Sequence, residues 1–515
     1  MPEPVGIAGV VAALSVTSDL TRGHPPGKAM RACLLATELG RRVGLDAPRH
    51  CDVYYATLLR YAGCAATSHE MAVALGGDDI AVRSRGDLID GARPAEALRL
   101  MAGLGHGAQR LRILSRMPSM PKFIAAGARA DCEVGADLTR RLLLPPAVSA
   151  AVLDDFERFD GIGAPEGKAG DDVAEAARYA AVAYTAVMFD AVGGAAAAAE
   201  MVGRWSGRAL DPAVTAIYGD APGELIELSN PGDLWAAVVA AEPAEPRTFR
   251  DDATLEAALA GFGDAADLKT PWFQGHSRGV AQLAREAAAR LDSVDAAAVY
   301  RAGLLHDLGR VSVPTGIWER PGPLRPEEWE LVRLHPYQSG RILDRSPVLA
   351  PLGPIASRHH ERTDGSGYPA GVRAAELDPA ACLLAAADVL HALGEARPHR
   401  PALELPDAAK VVSGLPLDRD AIRAVLDAAG APPPELPPLP ADLTERQLEV
   451  LRRLVAGRTK REIAAELVIS QSTVHTHTVH IYGKCRVSTR AGLAMFAMQH
   501  GLAPLGNRES PIGID

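Results

Sequence analysis

The stretch His359-His360-Glu361-Arg362-Thr363-Asp364-Gly365-Ser366-Gly367-Tyr368-Pro369 decides how the rest of the chain is read. Two adjacent imidazoles precede a turn whose two glycines permit positive φ and whose proline fixes the exit. Working outward, a second copy of the turn stands at Glu157-Arg158-Phe159-Asp160-Gly161-Ile162-Gly163-Ala164-Pro165, without the histidines. Two further segments pair in the same order. Gly23-His24-Pro25-Pro26-Gly27 matches Gly275-His276-Ser277-Arg278-Gly279, and Leu58-Leu59-Arg60-Tyr61-Ala62-Gly63-Cys64 matches Leu304-Leu305-His306-Asp307-Leu308-Gly309-Arg310. Three ordered matches read as one helical unit, duplicated, whose copies keep their glycines and apolar frame while their chemistry diverges.

The composition agrees with helices. Aromatic residues are only 4% of 515, while hydrophobic residues reach 48%, supplied mainly by Ala, Leu and Val. That balance disfavours an all-β fold, and the length predicts about three domains. Proline-rich segments at 242–247 and 432–440 break any helix. The expected organisation is therefore 1–245, 246–431, a linker at 432–440, 441–503, and a loose tail at 504–515. Six scattered cysteines with no Cys-x-x-Cys pair fit a reducing cytoplasm and neither a disulfide framework nor a zinc ribbon. The apolar N-terminal stretch lacks a preceding Lys or Arg, and the alanine-rich run at 193–199 is short, so no membrane anchor is expected.

The second copy carries His276, His306, Asp307, His335, His359, His360 and Asp388 at intervals of about one helix and its turn. Helical bundles build metal sites from inward side chains in this way, and imidazoles with one or two carboxylates suit Mn, Fe, Zn or Ni better than Ca or Mg. His306-Asp307-Leu308-Gly309 followed by HHERTDGSGYP resembles the HD-GYP subgroup of HD-domain metal-dependent phosphohydrolases, over about residues 265–400. The resemblance implies an all-helical bundle with two divalent metal ions that hydrolyses cyclic di-GMP. His276, His306, Asp307 and Asp388 would hold one ion; Asp307 would bridge to a second, held also by His335, His359 and His360. Asp307 and Arg310 are the expected catalytic residues. Arg310 stands where the family usually has Lys, a planar fork in place of a point charge. Asp364, Gly365, Gly367, Tyr368 and Pro369 are the expected substrate loop.

In the first copy the matching positions are Arg60 and Tyr61, Asp155 and Phe156, and Tyr184, with His24 alone retained. These residues cannot assemble that centre, which leaves a sensory or dimerisation role. A separate group, Cys64, His69, Glu70, Asp78 and Asp79, has metal-capable types in a short span; turn chemistry explains the aspartates equally well.

The formal net charge of -10 argues against nucleic acid only if it is evenly spread. Residues 441–503 hold nine Lys/Arg against five acids, so this block is +4 and the remainder -14. Thr444 with Gln447 and Thr459 with Glu462 have capping-box spacing, Ser470 and Ser488 open two more helices, and Gly501 closes the last. LTERQLEVL, EIAAEL, SQSTVHTH and IYGKCRVSTR resemble the LuxR-type helix-turn-helix domain. Val474, His477 and Ile481 should face its core. The resemblance implies double-stranded DNA as partner, with His475, Thr476 and Val479 entering the major groove and Thr473 and Lys484 on phosphates.

The fold expected is all-α: two tandem HD-like bundles followed by a four-helix LuxR-type head. The function expected is a cytoplasmic, homodimeric transcriptional regulator coupling a metal-dependent cyclic-dinucleotide phosphodiesterase to DNA. The alternative is a ligand-gated regulator whose HD domains only sense.

Overall fold

The computed structural model describes residues 5–104, 113, 115–243, 246–291, 294–431, 438–500 and 502. Among them every regular element is a helix, with only isolated bridges besides. The helices used below are α1 (Lys28–Arg42), α2 (Ala47–Leu59), α3 (Met120–Arg141), α4 (Glu175–Trp205), α5 (Asp252–Asp267), α6 (His276–Ala288), α7 (Ala296–Leu305), α8 (His335–Leu343), α9 (Pro379–Leu393), α10 (Arg419–Ala428), α11 (Glu445–Val455), α12 (Lys460–Glu466), α13 (Gln471–Cys485) and α14 (Arg490–Gln499). Contacts gather the chain into two compact units, 1–277 with 307–353 and 278–306 with 354–515. Part of the expected linker at 432–440, Gly501 and the expected tail lie outside the described residues.

In the first unit α1 packs on α2 and α4, and α3 on α5. Met30, Cys33, Ala36 and Leu39 bury one face of α1 at helical spacing. The Asp46 carboxylate accepts from Arg49 N and starts α2. Helix α4 is long and apolar enough to cross a membrane by length and composition, but half of its apolar window is buried in the protein. Its backbone breaks at Gly193 and Gly194, where φ reaches 75°. Two glycines of the repeated motif allow close backbone approach. A Cβ on Gly63 would lie 2.0 Å from Asp131 O, and one on Gly309 2.0 Å from His335 O. The same crossing thus occurs twice, and it matches Asp131 with His335. Lys269 and Asp79, both fully buried, pair at 2.7 Å, and Asp79 also accepts from Thr315 N.

The metal-capable residue types singled out in this unit are dispersed. Cys64 takes a hydrogen bond from Arg22, His69 pairs with Glu319, Asp78 caps a helix, and Asp79 holds Lys269. Among the described residues no group able to hold a metal includes them.

In the second unit α9 packs on α7 and α10. At the C-terminal end, Leu448, Leu451, Ile463, Val474, Ile481, Leu493 and Ala497 form one core. Both capping boxes form, at Thr444 with Gln447 and at Thr459 with Glu462, and Ser470 caps α13. Two expectations are corrected. Thr489 rather than Ser488 caps α14, its hydroxyl accepting from Gly492 N. Thr478 takes the buried place expected for His477, because Val474, Thr478 and Ile481 at i, i+4 and i+7 follow the face that packs inward while His477 is only half-buried. Ion pairs join this head to α10: Arg452 to Asp420 at 2.7 Å, and Arg423 and Arg419 to Glu445 at 2.8 and 2.9 Å.

Candidate metal centre and nucleic-acid interface

The expected ligands sit at helix ends, apart from Asp388 within α9. In the first unit His276 opens α6 and His335 opens α8, with Asp307 between them in space. His276 Nε2 is 3.4 Å from Asp307 Oδ2, and His335 Nε2 is 3.2 Å from Asp307 Oδ1. Arg310 Nη1 reaches the same carboxylate at 2.6 Å. Its guanidinium lies 4.4 Å from the Phe273 ring centroid and 5.8 Å from that of Trp318, so aromatic faces fix its orientation. Asp267, which accepts from Ser277 N and Oγ at 2.8 Å beside His276, is pushed up to about 6 by burial.

In the second unit His306 Nε2 is 3.8 Å from Asp388 Oδ1, and His360 Nδ1 is 3.7 Å from Asp388 Oδ2. The His306 and His359 rings meet edge-on at 4.7 Å, and His360 lies 4.7 Å from the Tyr368 ring. Six of the seven expected ligands are almost wholly buried; His360 is partly open.

One device recurs three times. His306 Nδ1 meets Gly303 O at 2.7 Å, His335 Nδ1 meets Val332 O at 2.7 Å, and His359 Nδ1 meets Ala356 O at 2.6 Å. A carbonyl oxygen only accepts, so each Nδ1 carries a proton, and the neutral imidazole then has its lone pair at Nε2. Backbone carbonyls orient metal-binding imidazoles in this way, and each also satisfies a carbonyl near a helix end. Ligand atoms about 2.1 Å from a shared ion lie roughly 3 to 4 Å apart, and the nitrogen–carboxylate separations within each unit fall in that range. The residues present therefore fit divalent metal ions.

The substrate-loop residues fold back toward the paired histidines. Tyr368 N donates to His360 O at 3.1 Å, and the Asp364 carboxylate accepts from Ser366 N and Oγ. Gly365 has φ +83°, and a Cβ on Gly367 would lie 2.4 Å from Arg362 N, so both positions require glycine. Glu361, which the sequence reading passed over, organises the loop by accepting from Ala370 N, Gly371 N and Val372 N. Glu157 does the same for Glu166 N, Gly167 N and Lys168 N. Its recurrence in the two turns was the available signal.

On α13, Thr473, His475, Thr476 and Val479 are exposed, Val479 to 55%. His475 Nδ1 meets Lys460 Nζ at 2.9 Å, which supplies the cation that His475 itself lacks when neutral. Lys484 Nζ donates to Asp442 O and to Gln447 Oε1, which steers its charge along the start of α11.

Residues 262–414 match the HD domain family and residues 441–497 the bacterial regulatory proteins of the luxR family. The chain is 27% identical over 451 residues to the 3'3'-cGAMP-specific phosphodiesterase 3 of Vibrio cholerae serotype O1, covering 84% of this chain and 97% of that protein. It is 39% identical over 113 residues to the cyclic di-GMP phosphodiesterase of Thermotoga maritima, covering 22% of this chain and 31% of that protein. A crystal structure of a cyclic GMP-AMP specific phosphodiesterase from V. cholerae shares the fold, with TM-score 0.58 and 24% identity over 84% of this chain and 99% of that one. The chain carries an HD domain of the HD-GYP type, distantly related to cyclic-dinucleotide phosphodiesterases, and a C-terminal LuxR-family helix-turn-helix domain.

Proposed function

We propose that this protein is a transcriptional regulator in which a two-metal HD-GYP-like phosphodiesterase domain, residues 246–431, controls a DNA-binding head at 441–503. Residues 1–245 form a degenerate HD-like bundle, and the protein acts as a cytoplasmic homodimer. The observation that carries the reading is the fixed tautomer of His306, His335 and His359, each presenting an Nε2 lone pair. His276, His306, Asp307, His335, His359, His360 and Asp388 all belong to His and Asp groups able to hold a metal ion. Two divalent ions, when bound, supply a water nucleophile at neutral pH and offset the charge of the phosphoryl oxygens.

The chain's own residues do the rest. Arg310, held by Asp307 and two aromatic rings, places a planar cation for a phosphate oxygen. The turn at 364–369, tied by Glu361, positions Tyr368 beside His360. The substrate class is a cyclic dinucleotide, 3'3'-cGAMP or cyclic di-GMP by the activities of the relatives. One observation favours a second reading, a sensor without turnover: the Arg310–Asp307 pair at 2.6 Å competes for the carboxylate that would bridge the ions.

Metal content and hydrolysis of both dinucleotides, wild type against His306→Ala/Asp307→Ala, test the reading. Bound metal with turnover lost in the double variant is expected; bound metal with no turnover leaves the sensor. For the head, the dependence of DNA affinity on salt should fall by about one unit of slope in Lys484→Ala. An unchanged slope would remove Lys484 from the interface.

A further inference from the structure

The first unit holds a cavity of about 230 Å³ whose lining includes Lys28, Arg60, Tyr61, Asp155, Phe156 and Tyr184. Arg60, Tyr61, Asp155, Phe156 and Tyr184 are the residues that stand at the metal-ligand positions of the repeat. Arg60 and Lys28 therefore bring positive charge into this cavity. Arg60 is 5% exposed, and its Nε and Nη1 have no hydrogen-bond partner among the described residues. Its Nη2 donates to Asp155 O, and the Asp155 carboxylate stays 3.6 Å from Nη1 while accepting from Tyr61 N. The Lys28 ammonium, also buried, lies 5.1 Å from the Tyr184 centroid, and burial pushes it down to about 8. Nearby Arg22 is neutralised by Asp87, which also bonds His24.

Buried donors left open in a cavity are costly unless a ligand satisfies them. The acids that also line the cavity are engaged, Asp87 by Arg22 and His24, Asp155 by Tyr61 N and Glu157 by three backbone N–H groups. The open Arg60 donors and the Lys28 ammonium are left for an anion, beside a wall formed by the rings of Tyr61, Phe156 and Tyr184. At about 230 Å³ the cavity falls below the roughly 300 Å³ at which small-molecule pockets start, far too small for a whole cyclic dinucleotide. A second cavity of about 260 Å³ shares Lys28 and Met188 with the first and offers room beside it.

We propose that the first bundle binds a nucleoside monophosphate, or one nucleotide half of a larger ligand, with its phosphate on Arg60 and Lys28 and its base among Tyr61, Phe156 and Tyr184. The site binds without hydrolysing, because it has cations and rings where the repeat has metal ligands. It is separate from the metal centre of the proposed function, and the experiment keeps the two apart. Full-length protein stripped of metal with EDTA is titrated calorimetrically with 5'-GMP, as wild type, as His306→Ala/Asp307→Ala and as Arg60→Met. One site per chain should persist in the first two and weaken at least about tenfold in the third, the loss of a charge-assisted hydrogen bond. Guanosine should bind at least about tenfold more weakly than GMP. Trp205 lines the cavity, so Trp205→Phe should remove the GMP-dependent fluorescence change even if Arg60→Met does not fold. No uptake of GMP by the wild type, a site lost in His306→Ala/Asp307→Ala but kept in Arg60→Met, equal affinity for guanosine, or an unaltered fluorescence response in Trp205→Phe would each overturn the proposal.

Discussion

Asp307 and Tyr61 occupy the same place in a repeated motif and create opposite environments. Asp307 gathers His276, His335 and Arg310; Tyr61 carries the Arg22 guanidinium over its face and meets Phe156 tilted and Tyr184 edge-on. Arg310→Gln should lower kcat/KM on the cyclic dinucleotide about 100-fold while metal content holds, since it removes a cation for the phosphate and no ligand; hydrolysis and metal analysis of one preparation check this. Asp155 gives a pH signature. Burial pushes its carboxyl up to about 7 against Arg60 and Arg22, with Asp154, Cys132 and Tyr184 as further neighbours. The folded state thus holds a proton that the unfolded chain has released above its ordinary 3.8, so stability falls as pH rises from about 4 to about 7. Asp155→Asn should match the wild type in Tm near pH 4 and exceed it by a few degrees at pH 8, measured by calorimetry. Asp19, also pushed up to about 7, titrates in both proteins and cancels in the difference. The metal-ligand candidates were legible because few side chains can bind a metal. Glu361 and Asp267 were not, because their partners are backbone amides that only the folded loop brings to them.

At the scale of the element, the helix ends were legible where a side chain caps its own backbone. Thr444, Thr459 and Ser470 act locally, within three residues, and sequence spacing reports such contacts faithfully. The choice between His477 and Thr478 for the inner face of α13 depends on the rotation of that helix against α11 and α12, which no local signal fixes. The turn between α12 and α13 holds a less visible feature. Val468 has φ +53° and is 88% exposed, a left-handed conformation that a β-branched residue adopts at a cost with no packing in return. Val468→Gly should stabilise the head by about 1 kcal/mol, read from denaturant unfolding of the full chain through the transition that reports α13. Equal or lower stability would show that the lost unfolded-state restriction outweighs the relieved strain.

For the whole molecule, the buried pair of Lys269 and Asp79 joins residues 190 positions apart in the chain. Lys269→Met should cost about 3–5 kcal/mol by leaving Asp79 charged and unpaired in the interior. Lys269→Met/Asp79→Leu should recover part of it, but not all, because Thr315 N–H then loses its acceptor; chemical unfolding of the three proteins measures both. The sequence alone determined the helical class, the repeat, the candidate ligands and the two family resemblances, because composition, spacing and donor chemistry are written residue by residue. It also resolved -10 into a basic head and an acidic remainder. Tertiary structure decided what depends on residues distant in the chain: that 246–277 and 307–353 group with the first block, that Asp131 stands where the repeat has His335, and that Glu361 ties its loop. It also decided that Arg60 faces a cavity with its donors open, since burial and hydrogen-bond satisfaction are properties of a folded neighbourhood and not of any one residue.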